Sequence, residues 1–367
     1  MMNKRNLFIL LVVFCLVSVS VVFNFSTTLA QNTQRTRQAA TPTPPVDDDE
    51  PPPLPVIEDK PLIIKAEVVN LNVRVIDRNN RPINTLAQQD FRIYEDNVIQ
   101  PIEFFAKEEV PTNYSLVIDN SGSMRFQLEK VIEAGKILIN TNRLDDETSI
   151  IRFVSRDKIS IERDFTADKE ELIDSLDNLF VEGGKTAIVD AVYLAAERVE
   201  NHDKVDKNDR KRRALILVSD GEDRDSYYKE EQLYELLRES DVQIYAIGFI
   251  NELSKEGGFI SKSPQGKAKA FLERLASETG GKVYFPNNLN ELDTIARDIA
   301  SELRTQYSIG YIPTNSETDG SFRNIKVSVA DGPNNQKRIA VTRSGRKAVA
   351  DDELPAFQNP VRKTKGQ

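Results

Sequence analysis

The strongest constraint on the fold is a set of short runs that are apolar at successive positions. They are Tyr114-Ser115-Leu116-Val117-Ile118, Ser149-Ile150-Ile151-Arg152-Phe153-Val154, Ala214-Leu215-Ile216-Leu217-Val218 and residues 242–250. Side chains along a strand point alternately to its two faces, so a run without a polar face belongs inside a sheet covered on both sides. Between these runs the spacing changes. Leu128, Val131, Ile132, Gly135, Leu138 and Ile139 recur at helical intervals, as do apolar positions over 169–180 and 188–201. Phe271, Leu272 and Leu275 mark a further helix with Gly280-Gly281 as its stop, and Leu292, Ile295, Ala296, Ile299 and Leu303 form a last amphipathic stripe. Ile159 and Ile161 alternate with polar neighbours, which suits an edge strand, and Val283-Tyr284-Phe285 is a short strand. Strands alternating with helices predict an α/β fold: a doubly wound, mostly parallel sheet whose ligand site lies beyond the carboxyl ends of its strands.

The flanks read differently. Val68, Leu71, Val73 and Val75 alternate with polar residues, and Phe91-Arg92-Ile93-Tyr94 and Ile102-Glu103-Phe104-Phe105 are short strands between turns. Four such strands make a thin core for an independent unit. After the α/β region, Tyr307-Ser308-Ile309-Gly310-Tyr311-Ile312, Ile325-Lys326-Val327-Ser328-Val329 and Ile339-Ala340-Val341 return to β character. We expect the two flanks to pair into one small β-sandwich, which would remedy the thin core.

The N-terminus speaks to compartment. Lys4 and Arg5, an apolar run over 7–23 and Thr28-Leu29-Ala30 before Gln31 supply the three parts of a secretory signal. Retained instead of cleaved, residues 7–23 would be a short membrane tether. The bulky Phe14 before Cys15 argues against a lipoprotein cleavage site. Cys15 is the only cysteine, so a processed chain has neither disulfide nor thiol nucleophile. Residues 31–58, with Thr41-Pro42-Thr43-Pro44-Pro45, Asp47-Asp48-Asp49-Glu50 and Pro51-Pro52-Pro53, read as an extended, semi-stiff spacer. A net charge of −9 without a long basic run argues against nucleic acid as a partner.

Five oxygen-bearing side chains could converge at the predicted carboxyl ends. Asp119, Ser121 and Ser123 alternate along Asp119-Asn120-Ser121-Gly122-Ser123, so all three can turn to one side; Gly122 is expected to relieve crowding between the serines. Thr186 stands in Gly183-Gly184-Lys185-Thr186 before a helix, and Asp220 in Ser219-Asp220-Gly221 after a strand. Short carboxylates and hydroxyls are hard ligands that suit Mg²⁺, with Mn²⁺ or Ca²⁺ as alternatives. The bland reading of such residues is helix capping.

With their contexts, these three segments resemble the von Willebrand factor A domain over Thr112 to about Arg304, and all five positions match its metal-ion-dependent adhesion site. The resemblance implies that the two serines contact the metal directly. The threonine and the aspartates would bind directly or through water. An open coordination position would accept an Asp or Glu carboxylate of a protein partner. Residues 73–77 and 90–96, with 311–313 and 319–327, are similar to secreted bacterial proteins that carry such a domain, many of them acidobacterial.

Other candidates are weaker. Gly184-Lys185-Thr186 resembles the end of a phosphate loop, but Leu179 stands where its first glycine is required. His202, the only histidine, lies in the hydrophilic run 201–213 and reads as a solvated loop residue, leaving no histidine-based triad or zinc site. Lys207, Lys211, Arg212 and Arg213 read as a solvated basic loop, Glu222, Asp223 and Asp225 as an exposed acidic one, and residues 251–266 as a surface loop near the crest. Asp190, four residues after Thr186, either supports the site or caps its helix.

The expected organisation is a signal or anchor over 1–30, the linker over 31–58, an N-terminal β unit over 59–111, the von Willebrand-type domain over 112–305, C-terminal strands over 306–345 and a flexible tail over 346–367. The expected function is extracytoplasmic, metal-dependent protein binding in a bacterium, without enzymatic activity. An envelope-assembly role with a purely stabilising metal, or a Mg²⁺-assisted hydrolase, are the alternatives. The sequence leaves the oligomeric state open.

Overall fold

The computed structural model describes residues 68–79, 81–107, 110–202, 211–253 and 263–348. The readings of 1–30 and 31–58, and of Lys207, fall outside these residues, as do 254–262 of the loop at 251–266.

The central layer is a six-stranded sheet in the order β10-β9-β8-β5-β6-β7. Its strands are β5 (Thr112–Asp119), β6 (Glu147–Phe153), β7 (Ile159–Thr166), β8 (Arg212–Ser219), β9 (Gln243–Gly248) and β10 (Lys282–Tyr284). All neighbours are parallel except β6 and the edge strand β7. Every residue of β5 and of β9 is buried, as strands without a polar face require. One face carries α1 (Leu128–Thr141), α2 (Lys169–Asp177) and α6 (Leu292–Arg304), which pack on Leu116, Ile118, Ile216 and Tyr245. The other carries α3 (Ile188–Asn201), α4 (Glu230–Glu239) and α5 (Pro264–Thr279), packed on Val117, Leu215, Leu217 and Ala246. Helix ends follow local chemistry. Asp168 accepts the Glu171 N–H at the start of α2, Ser263 accepts the Gly266 N–H at the start of α5, and Gly280 closes α5 at φ 74°. The chain runs outward from β5 to β7, returns to β8 and winds the other way. The order therefore reverses between β5 and β8, which opens a crevice at their carboxyl ends.

The flanks build two further four-stranded sheets. In one, β1 (Val69–Asp77) lies between β11 (Tyr307–Tyr311) and β13 (Arg338–Val341), with β4 (Phe104–Ala106) beyond β11. In the other, β12 (Phe322–Val329) lies between β14 (Gly345–Lys347) and β2 (Phe91–Glu95), with β3 (Val98–Gln100) at the edge. Their shared core holds Leu71, Val73, Phe91, Ile93, Tyr307, Ile309 and Tyr311. Asp96 and Asn97, at φ 47° and 65°, make the tight two-residue turn from β2 to β3.

Of the tail expected over 346–367, Arg346 and Lys347 instead belong to β14, and 349–367 lie outside the described residues. Arg346 is buried, its Nε donates to Glu95 Oε2 at 3.0 Å, and Tyr311 Oη donates to the same oxygen at 2.6 Å. A polar segment becomes strand here because its charge finds a partner inside the sandwich. Arg212 departs from its reading in the same way. It is buried, donates to Leu303 O and to Gln306 O (2.8 Å), and has its pKa pushed down to about 10 by desolvation. Lys211, by contrast, keeps a half-buried position beside Glu147.

Sandwich and central layer are joined by charge. Arg74 of β1 donates to both carboxylate oxygens of Glu302 on α6 (3.0 and 2.9 Å) and to Gly281 O (3.2 Å). Lys282 reaches Glu302 and Asp298 at 2.7 and 2.6 Å. These contacts, with Arg343 on Asp241 and Ser344 on Glu278, gather at the amino ends of the strands, away from the crevice. Arg74→Met takes from the buried Glu302 a partner that binds both its oxygens and leaves it Lys282. It should therefore lower the unfolding free energy in urea titration by roughly 2 kcal/mol. Adding Glu302→Leu should recover part of that loss, because the weakly compensated charge is then removed while Lys282 keeps Asp298.

Candidate metal centre

Asp119 is the last residue of β5 and Asp220 the first after β8, so the sheet's reversal places both at the mouth of the crevice. Asp119 is 0% exposed. Its Oδ1 accepts the Ser121 N–H at 2.9 Å and its Oδ2 accepts the Ser219 hydroxyl at 2.7 Å. Ser219 Oγ in turn accepts the Gly221 N–H at 3.0 Å, and Asp220 Oδ1 accepts the Glu222 N–H at 3.0 Å. Beyond Asp119 the chain makes a turn of 3-10 helix, Gly122–Met124, pinned by the buried Met124. Ser121 and Ser123 hydroxyls stand 2.9 Å apart; Ser121 is buried and Ser123 exposed.

Thr186 joins this group through its main chain. Its carbonyl accepts the N–H groups of Arg224 (2.8 Å) and Asp225 (3.1 Å), which stitches its loop to the segment after Asp220. Asn120 holds the same loop from the other side. Its Nδ2 donates to Phe180 O and its carbonyl accepts the Glu182 N–H, both at 2.8 Å. The Phe180 contact lies just beyond the end of α2, which stops at Asp177, short of the expected 180. Hydrogen bonds thus connect Asp119, Ser121 and Ser123 directly, Asp220 acts on Asp119 through its charge, and Thr186 is tied in by backbone.

Two supports were not singled out from the sequence. Ser219 bridges β8 to Asp119, and Asn120 anchors the Thr186 loop; each stands beside a candidate ligand, which is the signal that was available. Asp190 neither caps its own helix nor faces the five oxygens. Its carboxylate accepts the Tyr227 N–H (2.8 Å to Oδ2) and the Tyr228 N–H (2.8 Å to Oδ1), while Asp223 Oδ1 accepts the Val189 N–H at 3.4 Å. Burial still raises the Asp190 pKa. The acidic loop is therefore engaged as well as exposed: Asp223 reaches the α3 N-terminus, Asp225 pairs with Arg156, and Glu222 pairs with Arg224. Gly122 has open space where a Cβ would stand and gains nothing from being glycine. Gly221, at φ 80° with Leu272 Cδ1 3.0 Å from that point, is the glycine the crest requires.

His202 also departs from its reading. Its ring stacks on Phe165 at 3.9 Å and its Nε2 lies 3.1 Å from Glu147 Oε2, a packed position. It follows the C-terminal end of the 14-residue α3, whereas Thr186 precedes the start, so about 21 Å of helix, at 1.5 Å per residue, lies between them. It cannot act as a base at the crest.

The electrostatics decide whether a cation fits. Desolvation, and after it the charge of Asp220, push the Asp119 pKa up to about 6, against the hydrogen bonds from Ser121 and Ser219. Among the described residues neither carboxylate has an ion-pair partner. Two buried carboxylates without a cationic side chain, next to three hydroxyl-bearing residues, form an all-oxygen donor set that fits a hard divalent ion. Among the described residues no group of three or more His, Cys, Asp or Glu side chains could hold a metal, so the site depends on its hydroxyls.

The family model described as von Willebrand factor type A domain matches residues 115–298, half of the chain. An uncharacterized protein of Synechocystis sp. is 36% identical over 114 residues, 31% of this chain and 26% of that protein. The chain thus spans about a quarter of the length of the curated relative it matches. An aerotolerance-related membrane protein from Bacteroides fragilis aligns at TM-score 0.41 and 19% identity, over 52% of this chain and 98% of that one. A von Willebrand factor type A structure from Catenulispora acidiphila aligns at TM-score 0.44 and 12% identity, over 81% and 78%.

The buried charge at Asp119 yields a test. In chelator, Asp119→Asn should be at least as stable as the wild type, with a gain of up to about 2 kcal/mol, because it removes a desolvated charge facing another. The same variant should lose the rise in melting temperature that Mg²⁺ gives the wild type. Calorimetric melting with and without Mg²⁺ reads both effects.

Proposed function

The chain belongs to the von Willebrand factor type A domain family, and from that membership we propose an extracytoplasmic docking module whose crest holds a divalent ion. Asp119, Ser121, Ser123, Thr186 and Asp220 would hold Mg²⁺, or Mn²⁺ or Ca²⁺ in its place, as a metal-ion-dependent adhesion site. The ion, when bound, supplies a positive centre able to take an Asp or Glu carboxylate of a protein partner. The observation that carries this reading is the buried pair Asp119 and Asp220, without an ion-pair partner among the described residues, beside the exposed Ser123. Buried charge demands a counter-ion, and the exposed hydroxyl leaves the ion open to a partner.

The loops that bring these residues support a protein partner. Phe126 is 77% exposed, Phe180 54% and Tyr227 56%, each on one of the three ligand-bearing segments. Aromatic side chains held in water are the usual anchors of protein interfaces. An extracytoplasmic location rests on the signal pattern over 1–30 and on the likeness of the flanks to secreted bacterial proteins. Among the described residues no helix is long and apolar enough to cross a membrane. The remote position of His202 favours binding over catalysis. A second reading, in which the metal only stabilises the domain, is favoured by the desolvated charge of Asp119.

A pull-down from envelope extract separates the two. Under docking, a partner is retained in Mg²⁺, released by chelator and missed by Asp119→Ala. Phe126→Ser with Phe180→Ser should weaken its capture about tenfold or more, while leaving the Mg²⁺ shift in melting temperature intact. A large Mg²⁺ shift with the same proteins captured in Mg²⁺ and in chelator would reject docking and leave stabilisation.

A further inference from the structure

The three ligand-bearing segments of the crest, 119–126, 180–187 and 220–227, treat their two kinds of charge differently. Apart from Asp119 and Asp220, every acid on them is engaged. Glu182 pairs with Arg152 and Lys158 (3.0 and 2.7 Å), Glu222 with Arg224, and Asp225 with Arg156 (3.8 Å). Asp223 accepts the Ser226 hydroxyl at 2.5 Å. Two cations are not engaged. Arg125 follows Ser123 by two residues and Lys185 directly precedes Thr186. Both are exposed and make no ion pair among the described residues.

Backbone contacts fix where these two cations stand. Arg125 closes the 3-10 turn over 122–124 in helical conformation (φ −54°, ψ −40°), and Met124 of that turn is buried. The Lys185 loop lies against the end of β6, where a Cβ on Gly184 would meet Val154 Cγ1 at 2.5 Å. Asn120 bonds the first segment to the second through Phe180 O and the Glu182 N–H. The two cations therefore stand on neighbouring segments of one rim. Asp119 and Asp220 together would balance a divalent ion. The free charge of the rim is then that of Arg125 and Lys185, opposite in sign to the chain's net −9. The basic cleft at the other end of the sheet, lined by Lys211, Arg213 and Arg343, differs: two of its three cations are already paired, with Glu147 and Asp241.

We propose that the crest selects an acidic run in its protein partner, three or more adjacent Asp or Glu residues, over an isolated carboxylate. The inference rests on the docking reading above. One carboxylate completes the coordination of the ion, and its neighbours pair with Arg125 and Lys185. Successive side chains of an extended segment point to opposite sides, so a run offers carboxylates to both segments of the rim at once. An exposed ion pair is worth up to about fivefold in affinity, so two give the run an advantage on the order of tenfold. The same cations steer an acidic segment toward a chain whose overall charge repels it. Phe126, 77% exposed and next to Arg125, favours a peptide over an acidic polysaccharide, because an apolar side chain of the peptide can cover it.

The test uses the full chain and calorimetric titration with two synthetic peptides of identical composition. Both are Gly and Ser with four aspartates, adjacent in one peptide and spread evenly along the other. In Mg²⁺ the run should bind about tenfold more tightly, and its advantage should shrink as NaCl rises from about 50 to 500 mM. Arg125→Gln with Lys185→Gln should cut the advantage to under threefold and keep the Mg²⁺ rise in melting temperature. Spread aspartates bound as tightly as the run in Mg²⁺ overturn this proposal alone, as does a full advantage in the double variant. Peptide binding that is absent, or equal in Mg²⁺ and in chelator, rejects the docking reading and this proposal with it. Polygalacturonate bound in Mg²⁺ more tightly than the run makes the partner a polysaccharide and overturns the proposal. Mg²⁺-dependent self-association in sedimentation, with neither peptide bound, makes it a second copy and overturns the proposal as well.

Discussion

Two carboxylates buried at the ends of adjacent parallel strands, with no ion-pair partner among the described residues, set the terms for the upper half of this molecule. Asp119 has no exposure and gives both its oxygens to hydrogen bonds, yet burial and Asp220 still hold its pKa near 6. Such an arrangement is costly unless a cation balances it, so the surrounding loops must be held firmly enough to keep it. Ser219, Asn120 and Asp190 provide that restraint. Each fixes main-chain groups of a neighbouring loop, and each loop is thereby fastened to the next.

The lower half solves a different problem. The flanking strands are too few to make a core on either side of the central layer, and they gain one by pairing with each other across more than two hundred residues of sequence. This returns both ends of the described chain to the amino ends of the central sheet. There Arg74, Arg212 and Arg343 are each engaged by carboxylates or carbonyls. Arginine suits this seam because its planar fork satisfies several acceptors at once. The polar seam leaves the crest free, so exposed aromatics and structural ion pairs occupy opposite ends of the same sheet.

How far the sequence could be read depended on whether a residue's role is local. Runs apolar on both faces have one home, and the strands that were read from them fall in the central sheet; α4 (Glu230–Glu239) and the three-residue β3 were not read, because one lies in a charge-rich stretch and the other is too short to show a period. Gly280 ends α5 because a left-handed residue was needed there. The oxygen-bearing motifs were legible because each directly follows a strand or opens a helix. Arg212, Arg346 and His202 were misread as solvated for one common reason. A charged or polar residue in a hydrophilic stretch reads as exposed, and only its partner overturns that, here Leu303 O, Glu95 and the Phe165 ring. The same holds for Gly122, whose neighbours suggested crowding that the turn does not have.

The sequence by itself determined the α/β layer, its winding and the chemical type of the crest, because hydrophobic periodicity and the oxygen-rich motifs are written in contiguous residues. Only the tertiary structure decided that the two carboxylates have no ion-pair partner among the described residues, that Ser219 and Asp190 hold the loops around them, and that a basic cleft opens at the other end of the sheet. Those are properties of pairs and groups brought together from distant segments. Their energies depend on which charges burial leaves unmatched, and no single segment records that.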